Sequence, residues 1–232
     1  MPDYFLCTGP GRTATRWLAQ YLDKATKANV MHDEFLPINF ESSMRRWKRA
    51  SIPKIGTVSG AARYHIPQLW TAFKPVVVFL WREPFGLIKS HVEIQLRTGN
   101  TPRVNETGHR QPPGYETLDM LVRRTAQILL GDLEASIGIC KYHNIPHNHV
   151  SMEDFLTPAG AAALARMVGV KPPSYTEMVV NKTPDADRIP HQDWWEERTR
   201  SRIMALVNSL VNVREGYDKA KQWGSSLEKA SE

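Results

Sequence analysis

Short, unbroken apolar runs alternate along the chain with segments of helical periodicity. An apolar run bounded by turn residues is typical of a strand that is buried on both faces of a parallel sheet. The clearest run is Val76–Trp81, which is β-branched and aromatic and follows Pro75. The predicted strands are Tyr4–Thr8, Ile55–Ser59, Val76–Trp81 and His149–Met152.

In the segments between these runs, apolar residues recur every three or four positions, which indicates amphipathic helices. Leu18, Leu22 and Ala25 mark the first of them. Gly169 is expected to cap the C-terminus of a short alanine-rich helix. Strands that alternate with helices predict an α/β fold, with a doubly wound parallel sheet flanked by helices. The predicted helices are Thr15–Lys27, Glu116–Tyr142, Ala159–Val168 and Trp194–Val211.

The length of 232 residues fits one α/β domain, so we predict a single domain over residues 1–232. The segment Thr98–Pro113 is rich in Gly, Pro, Asn and Thr and has no apolar pattern. It predicts a long loop, and long loops in compact domains are often lids or binding segments. The last stretch, Gly224–Glu232, is predicted to be frayed.

Composition restricts the possible classes of ligand and the possible cellular locations only slightly. Hydrophobic residues make up 41% of the chain and charged residues 23%, which argues against a disordered protein. The net charge of +6 favours an anionic ligand. Cys7 and Cys140 lack the spacing of a zinc site or a disulfide framework. No signal-like start and no apolar run of about 20 residues is present, so we expect a cytoplasmic protein without a membrane span.

A small-residue turn, Gly9–Arg16, lies between the first predicted strand and the first predicted helix. The first N–H groups of a helix have no backbone partner and the helix dipole favours negative charge there, so such a turn can bind a phosphate. Gly9 and Gly11 allow close approach of the backbone to an anion. A Walker A loop would require Gly, Lys and Ser or Thr where this chain has Ala14, Thr15 and Arg16.

The run from Arg12 to Trp17 resembles the 5′-phosphosulfate loop of sulfotransferases that use 3′-phosphoadenosine-5′-phosphosulfate (PAPS). In that family the loop is Lys-Ser-Gly-Thr-Thr-Trp or Lys-Gly-Gly-Thr-Arg. The resemblance implies a P-loop-like form of the doubly wound fold, with Arg12 at the position of the catalytic lysine and Trp17 packing on the adenine. Arginine at that position and Ala14 in place of glycine are departures from the family pattern. The implied cofactor-binding residues of this loop are Gly11, Arg12, Thr13, Ala14, Thr15, Arg16 and Trp17.

A second motif follows the strand Val76–Trp81. An arginine at the carboxyl end of a central strand lies where open α/β sheets bind ligands, and its guanidinium can bind a phosphate bidentately. Arg82, Pro84 and Ser90 have the spacing of the family's 3′-phosphate motif, which implies that Arg82 and Ser90 bind the cofactor. Glu83 stands where the family usually has asparagine.

Sulfuryl transfer requires a base that takes the proton of the acceptor hydroxyl. The run Arg63-Tyr64-His65-Ile66-Pro67 resembles Lys-Thr-His-Leu-Pro of cytosolic sulfotransferases, which implies that His65 is the base and that Arg63 assists the leaving group. Glu34 is the second candidate, because other branches of the family use a glutamate in this region. His32 is a third.

The predicted function is a sulfotransferase that moves a sulfuryl group from PAPS to a hydroxyl or amine by in-line displacement, with Arg12 neutralising developing charge. No metal is expected. We expect a small-molecule or glycan acceptor, with the hydroxyl of a lipid or of a protein tyrosine as alternatives, and no nucleic-acid motif is present. The family's C-terminal Arg-Lys-Gly motif is missing; Asn181–Thr183 and the region Arg188–Arg202 are candidate substitutes. A P-loop nucleotide kinase and a non-catalytic nucleotide- or polyanion-binding module remain alternatives.

Overall fold

The fold is built on a parallel β-sheet. The computed structural model of the chain describes residues 3–36, 38–98, 118–175 and 193–229. In this part of the chain the strands lie in the order β2-β3-β1-β4-β5, and all neighbouring pairs are parallel. The strands are β1 (Asp3–Thr8), β2 (Ala28–His32), β3 (Lys54–Val58), β4 (Val76–Trp81) and β5 (His147–Ser151).

Helices occupy most of the connections between these strands. They are α1 (Thr15–Asp23), α2 (Phe40–Arg49), α3 (Ile66–Phe73), α4 (Pro84–Thr98), α5 (Leu118–Tyr142), α6 (Met152–Phe155), α7 (Pro158–Met167), α8 (Asp193–Ser209) and α9 (Val211–Lys229). A short 3₁₀ helix, Ala61–His65, precedes α3. The α/β fold with a parallel sheet and flanking helices that the sequence predicts is therefore confirmed.

Strands β1 and β4 lie in the centre of the sheet because their side chains are apolar on both faces. Phe5, Leu6 and Cys7 of β1 are fully buried, as are Val78 and Leu80 of β4. The chain leaves β1 for β2 on one side of the sheet, whereas it leaves β4 for β5 on the other. Adjacent parallel strands whose connections leave in opposite directions form a crevice at their carboxyl ends, where open α/β sheets bind ligands.

The described residues divide into two compact units. The first contains the described residues of Met1–Arg82, Ala135–Met178 and Glu215–Glu232 and therefore holds the whole sheet. The second contains those of Glu83–Glu134 and Val179–Arg214. Its core joins apolar side chains of α4, α5 and α8, among them Phe85, Leu129 and Ile203. The prediction of a single domain over the whole chain stays a prediction.

Several boundaries differ from the sequence-based expectations. Helix α1 ends at Asp23 rather than at Lys27, because the Asp23 carboxylate accepts a hydrogen bond from the Val30 N–H (2.9 Å) and the chain turns into β2. Helix α9 continues to Lys229 and so includes the first residues of the stretch Gly224–Glu232, whose predicted fraying stays a prediction. The expected cap is present, since Gly169 follows α7 with a φ of 72°. The predicted loop lies outside the described residues, apart from Thr98.

Candidate active site

The two sequence motifs meet at the crevice between β1 and β4. Arg82 directly follows β4, and its Nη1 atom donates a hydrogen bond to the backbone carbonyl of Arg12 in the loop after β1 (3.3 Å). The side chains of Arg12 and Arg16 are exposed. Three arginines therefore follow the adjacent ends of β1 and β4, which favours an anionic ligand there.

The loop after β1 lies directly against the end of β4. A Cβ atom on Gly9 would lie 2.5 Å from the carbonyl oxygen of Leu80, closer than real contacts allow. Only glycine therefore fits at this position. On the other side, the Thr8 hydroxyl donates to the carbonyl of Ser59 (2.8 Å) and the Ser59 N–H donates to the carbonyl of Cys7 (3.0 Å). These contacts fix the loop between the ends of β3 and β4.

Within the loop, two residues other than glycine adopt the left-handed conformation. The φ angle is 67° at Arg12 and 54° at Ala14. Such conformations are uncommon for residues with a Cβ and concentrate at functional sites. Ala14 is the N-terminal cap of α1 and makes no side-chain capping bond, while Thr13 is buried and donates its hydroxyl hydrogen to the Pro10 carbonyl (2.9 Å). The cap residue of α1 thus supplies no side-chain acceptor to the first N–H groups of the helix, and this arrangement fits a bound phosphate.

The buried side chain of Arg63 binds the backbone of the loop after β1. Only 1% of its surface is exposed. Its Nη1 atom donates to the carbonyls of Gly9 (3.2 Å) and Gly60, and its Nη2 atom donates to the Tyr64 hydroxyl (2.7 Å). A buried guanidinium needs such partners, because an unpaired charge in the interior is strongly unfavourable. The contacts of Arg63 therefore connect the loop after β1 to the turn after β3.

A hydroxyl–imidazole–carboxylate chain borders the loop on the side of β2. The Thr15 Oγ1 atom lies 3.1 Å from His32 Nε2, and His32 Nδ1 lies 3.0 Å from the Asp33 carboxylate. Since the Asp33 carboxylate can only accept, His32 Nδ1 donates to it. This contact places His32, the weakest base candidate of the sequence, beside the first residue of α1.

Trp17 of α1 belongs to a cluster of aromatic rings from α1, α6 and the segment after α7. Its ring stacks on Tyr21 (centroids 5.3 Å apart) and on Phe155 (6.3 Å), and Tyr175 meets it edge-on at 5.8 Å. The Tyr175 hydroxyl donates to the Leu156 carbonyl. Trp17 is only partly buried. These ring contacts fix the orientation of the Trp17 side chain.

His65 ends the 3₁₀ helix and is the residue before α3 proper. Its ring packs on Phe40 with 4.3 Å between centroids. Burial lowers the pKa of His65 below its ordinary value, so the neutral imidazole is favoured. The buried Nε2 atom has no hydrogen-bond partner among the described residues, and the same holds for the Ser59 hydroxyl. Buried polar atoms in that state are the ones that a ligand or a substrate can satisfy.

Glu34 is 3% exposed and both of its oxygens bind α2. Oε1 accepts from Arg46 Nη1 (2.7 Å) and Ser43 Oγ (3.3 Å), and Oε2 accepts from Trp47 Nε1 (2.7 Å). Burial raises the pKa of Glu34, against the opposing effects of Trp47, Arg46 and Ser43. The geometry of this carboxylate is that of an anchor for α2.

The remaining predicted site residues either belong to the second unit or lie outside the described residues. Ser90 is in α4 and 7% exposed. Glu83, which departs from the family pattern, accepts from the Gly86 N–H (2.6 Å) and from Arg200 Nη1 (2.8 Å), so it stabilises the start of α4. Asn181–Thr183 lie outside the described residues, as do the first residues of the region Arg188–Arg202.

Sequence reasoning missed Ser59, Asp33 and Tyr175 as neighbours of the site. Ser59 carried the best signal, because a hydroxyl residue ends an apolar strand just before Gly60. The contacts of Asp33 and Tyr175 depend on strand and helix positions that the sequence does not reveal. In the described part of the chain, no group of three or more His, Cys, Asp or Glu side chains could hold a metal ion. No described helix has the length and apolar character to cross a membrane.

Comparison with solved structures identifies the fold. The mouse sulfotransferase SULT7A1 in complex with PAP is similar over 97% of this chain and 89% of its own, with a TM-score of 0.57 and 13% identity. A sulfotransferase from Alicyclobacillus acidocaldarius is similar over 90% of this chain and 96% of its own, with a TM-score of 0.50 and 12% identity. No family model and no curated protein matches the sequence. The chain therefore has the P-loop-like α/β fold of sulfotransferases.

Proposed function

We propose that this protein is a sulfotransferase that uses PAPS. The observation that carries the proposal is the contact between Arg82 and the Arg12 carbonyl, which joins the two motifs that resemble the family's phosphate sites. A shared fold alone does not define function, so the argument depends on this site. The similar mouse enzyme was solved with PAP, which is consistent with the proposed ligand.

The proposed site binds the nucleotide through the loop and the arginines. The N–H groups at the start of α1 hold the 5′-phosphate, with Arg12 and Arg16 supplying positive charge. Arg82 binds the 3′-phosphate, and the role of Ser90 at the same phosphate stays a prediction. Trp17 provides the surface for the adenine. When bound, PAPS supplies the sulfuryl group.

His65 is the base that we propose. Its lowered pKa keeps the imidazole neutral near pH 7, which a proton acceptor requires. Its buried Nε2 atom has no hydrogen-bond partner among the described residues, so no described protein group competes with an acceptor hydroxyl for it. Glu34 is the weaker candidate, since its oxygens already accept bonds from Arg46, Ser43 and Trp47.

Arg63 has a different proposed role from the one that the family resemblance implies. Its Nη1 atom donates to the carbonyls of both Gly9 and Gly60. In this geometry it positions the phosphate loop. The positive charge that acts on the leaving group comes from Arg12, whose side chain is exposed.

Calorimetric titration with PAP (3′,5′-bisphosphoadenosine) tests the nucleotide site. We expect binding that does not depend on magnesium and that is weakened about tenfold or more in Arg82→Ala, because a charge-assisted contact is lost. Lys171→Ala is the matched control, since it removes one exposed positive charge that follows α7. Binding of ATP with magnesium but not of PAP would favour a nucleotide kinase instead.

A turnover assay tests the reaction. PAPS is incubated with a panel of alcohols, phenols and glycans, and PAP release is measured for the wild type, Arg12→Ala and His65→Gln. We expect loss of turnover in both variants, with PAP affinity retained in His65→Gln. PAP binding without turnover on any acceptor would indicate a non-catalytic binding module, and wild-type rates in both variants would refute the proposed roles.

A further inference from the structure

A second cationic depression lies at the opposite end of the sheet from the phosphate loop. Its volume is about 500 Å³. It is formed by the start of β2, the outer face of α2 and the segment that leads into β3. The residues that argue for a ligand are Asn29, Ser42, Arg45, Arg46, Arg49 and Ser51.

The arginines converge because of helical geometry. Ser42, Arg45, Arg46 and Arg49 occupy positions i, i+3, i+4 and i+7 of α2, which lie on one face of a helix. The opposite face of α2 is buried through Trp47. The cationic face is therefore held in a fixed orientation towards the edge strand β2.

The charges in this depression are only partly balanced. Arg46 pairs with Glu34 at 2.7 Å. Among the described residues no carboxylate forms an ion pair with Arg45 or Arg49, and none lines the depression. Like charges at positions i and i+4 of a helix repel each other. A bound anion would remove this repulsion.

The helix dipole alone does not explain why these basic and polar residues lie together. Cations near a helix C-terminus are favoured by the helix dipole, which accounts for Arg46 and Arg49 in the last turn. It does not account for Arg45, which lies outside that turn, or for the neutral donors Asn29 and Ser51 on the facing segments. Guanidinium groups together with amide and hydroxyl groups are the usual donors for phosphate and sulfate oxygens.

We propose that this depression, which we call the α2 anion site, binds a ligand that carries at least two phosphate or sulfate groups. It is distinct from the nucleotide site. Asn29 and His32 are three residues apart in β2, which corresponds to about 10 Å along a strand. His32 contacts the phosphate loop through Thr15, whereas Asn29 lines the α2 anion site.

Titration of the full chain with inorganic tripolyphosphate tests the site, and sucrose octasulfate in a parallel arm distinguishes phosphate from sulfate ligands. In the double variant Arg45→Gln and Arg49→Gln, we expect at least about a tenfold loss of affinity for the preferred anion. Arg46 is left unchanged because it anchors Glu34. Raised salt should weaken wild-type binding, since the contacts are between charges.

Two control variants make the outcomes decisive. The double variant Lys48→Gln and Lys171→Gln removes the same total charge as the arginine double variant. It is a suitable control because both lysines are exposed and neither lines the depression. An equal loss in this control would mean that net charge alone attracts the anion, and the site would be refuted. Loss of anion binding in Arg82→Ala would place the anion at the nucleotide site, which also overturns the proposal. Unchanged circular dichroism and thermal melting establish that the double variant is folded.

Discussion

A single experiment distinguishes two possible roles of Arg63, which are assistance to the leaving group and positioning of the loop after β1. If it only assisted the leaving group, its replacement would lower kcat and leave the fold intact. If it positions the loop, as its contacts with Gly9 and Gly60 indicate, its replacement lowers stability and nucleotide affinity together. The informative changes are Arg63→Ala, which removes every contact, and Arg63→Lys, which keeps only the charge.

The magnitude follows from the lost hydrogen bonds. Hydrogen bonds to a charged group contribute about 1.5–3 kcal/mol each, and a buried carbonyl left without a donor costs about 1–3 kcal/mol. Arg63→Ala loses bonds to two carbonyls and to the Tyr64 hydroxyl, so with water entering the space we expect a loss of about 3–5 kcal/mol. Arg63→Lys retains the charge but not the planar fork, and we expect about 1–3 kcal/mol.

Urea denaturation followed by tryptophan fluorescence measures these differences, and PAP titration measures the effect on the site. Tyr64→Phe is the matched control, because it removes only one acceptor of Arg63 and is expected to cost about 1 kcal/mol. Unchanged stability and PAP affinity in Arg63→Ala, combined with a loss of kcat, would refute the positioning role.

Three further predictions concern the backbone of the loop and the burial of Glu34. Ala14→Gly should leave stability equal or raise it by about 1 kcal/mol, because glycine adopts the left-handed conformation freely. Ala19→Gly within α1 should cost about 1–2 kcal/mol, because it frees the helix backbone in the unfolded state and removes a buried methyl group. Gly9→Ala should cost about 1–3 kcal/mol and weaken PAP binding, since the new Cβ meets a carbonyl of β4. Burial raises the pKa of Glu34 above its ordinary value of 4.5, so the folded state keeps a proton that the unfolded state has released. As pH rises from 4.5 through the folded-state pKa, the wild type should therefore lose stability relative to Glu34→Gln; the exposed Glu41→Gln is the control.

Each of these predictions has a clear opposing result. Equal destabilisation by Ala14→Gly and Ala19→Gly in chemical denaturation would show that the left-handed conformation is not strained. Wild-type stability and PAP affinity in Gly9→Ala would contradict the close packing on β4. A stability difference between the wild type and Glu34→Gln that is the same at every pH would show that burial does not shift this carboxyl group.

The sequence was most informative where buried apolar residues are continuous. The prediction for β4 agrees with the structure at both ends, because every residue from Val77 to Trp81 is buried and the apolar run after Pro75 is unbroken. β2 was missed, because it is an edge strand in which only Val30 is buried, and its composition gives no apolar run. Helix α2 was missed for a related reason: Trp47 is its large buried apolar residue, and the exposed arginines dominate its sequence.

The site could be predicted in part. Strand ends show where loops lie, so the positions of Arg12 and Arg82 followed from the pattern of the chain. The contacts of His32 and Arg63 did not, because they require the register of β2 against β3 and the path of the turn after β3. Arginine is normally a surface residue, and nothing in the local sequence indicates that this one is buried.

The departures from the family loop carry a physical consequence. Where the family has a lysine and a glycine, this chain has Arg12 and Ala14, and both adopt positive φ angles. Each such residue costs about 1–2 kcal/mol relative to the right-handed conformation. That conformation persists because the surroundings hold it: Gly9 lies against β4, and Arg63 binds the loop carbonyl from inside. A loop that is held rigid before the ligand arrives loses little entropy on binding it, so the strain in this loop supports the proposed anion site.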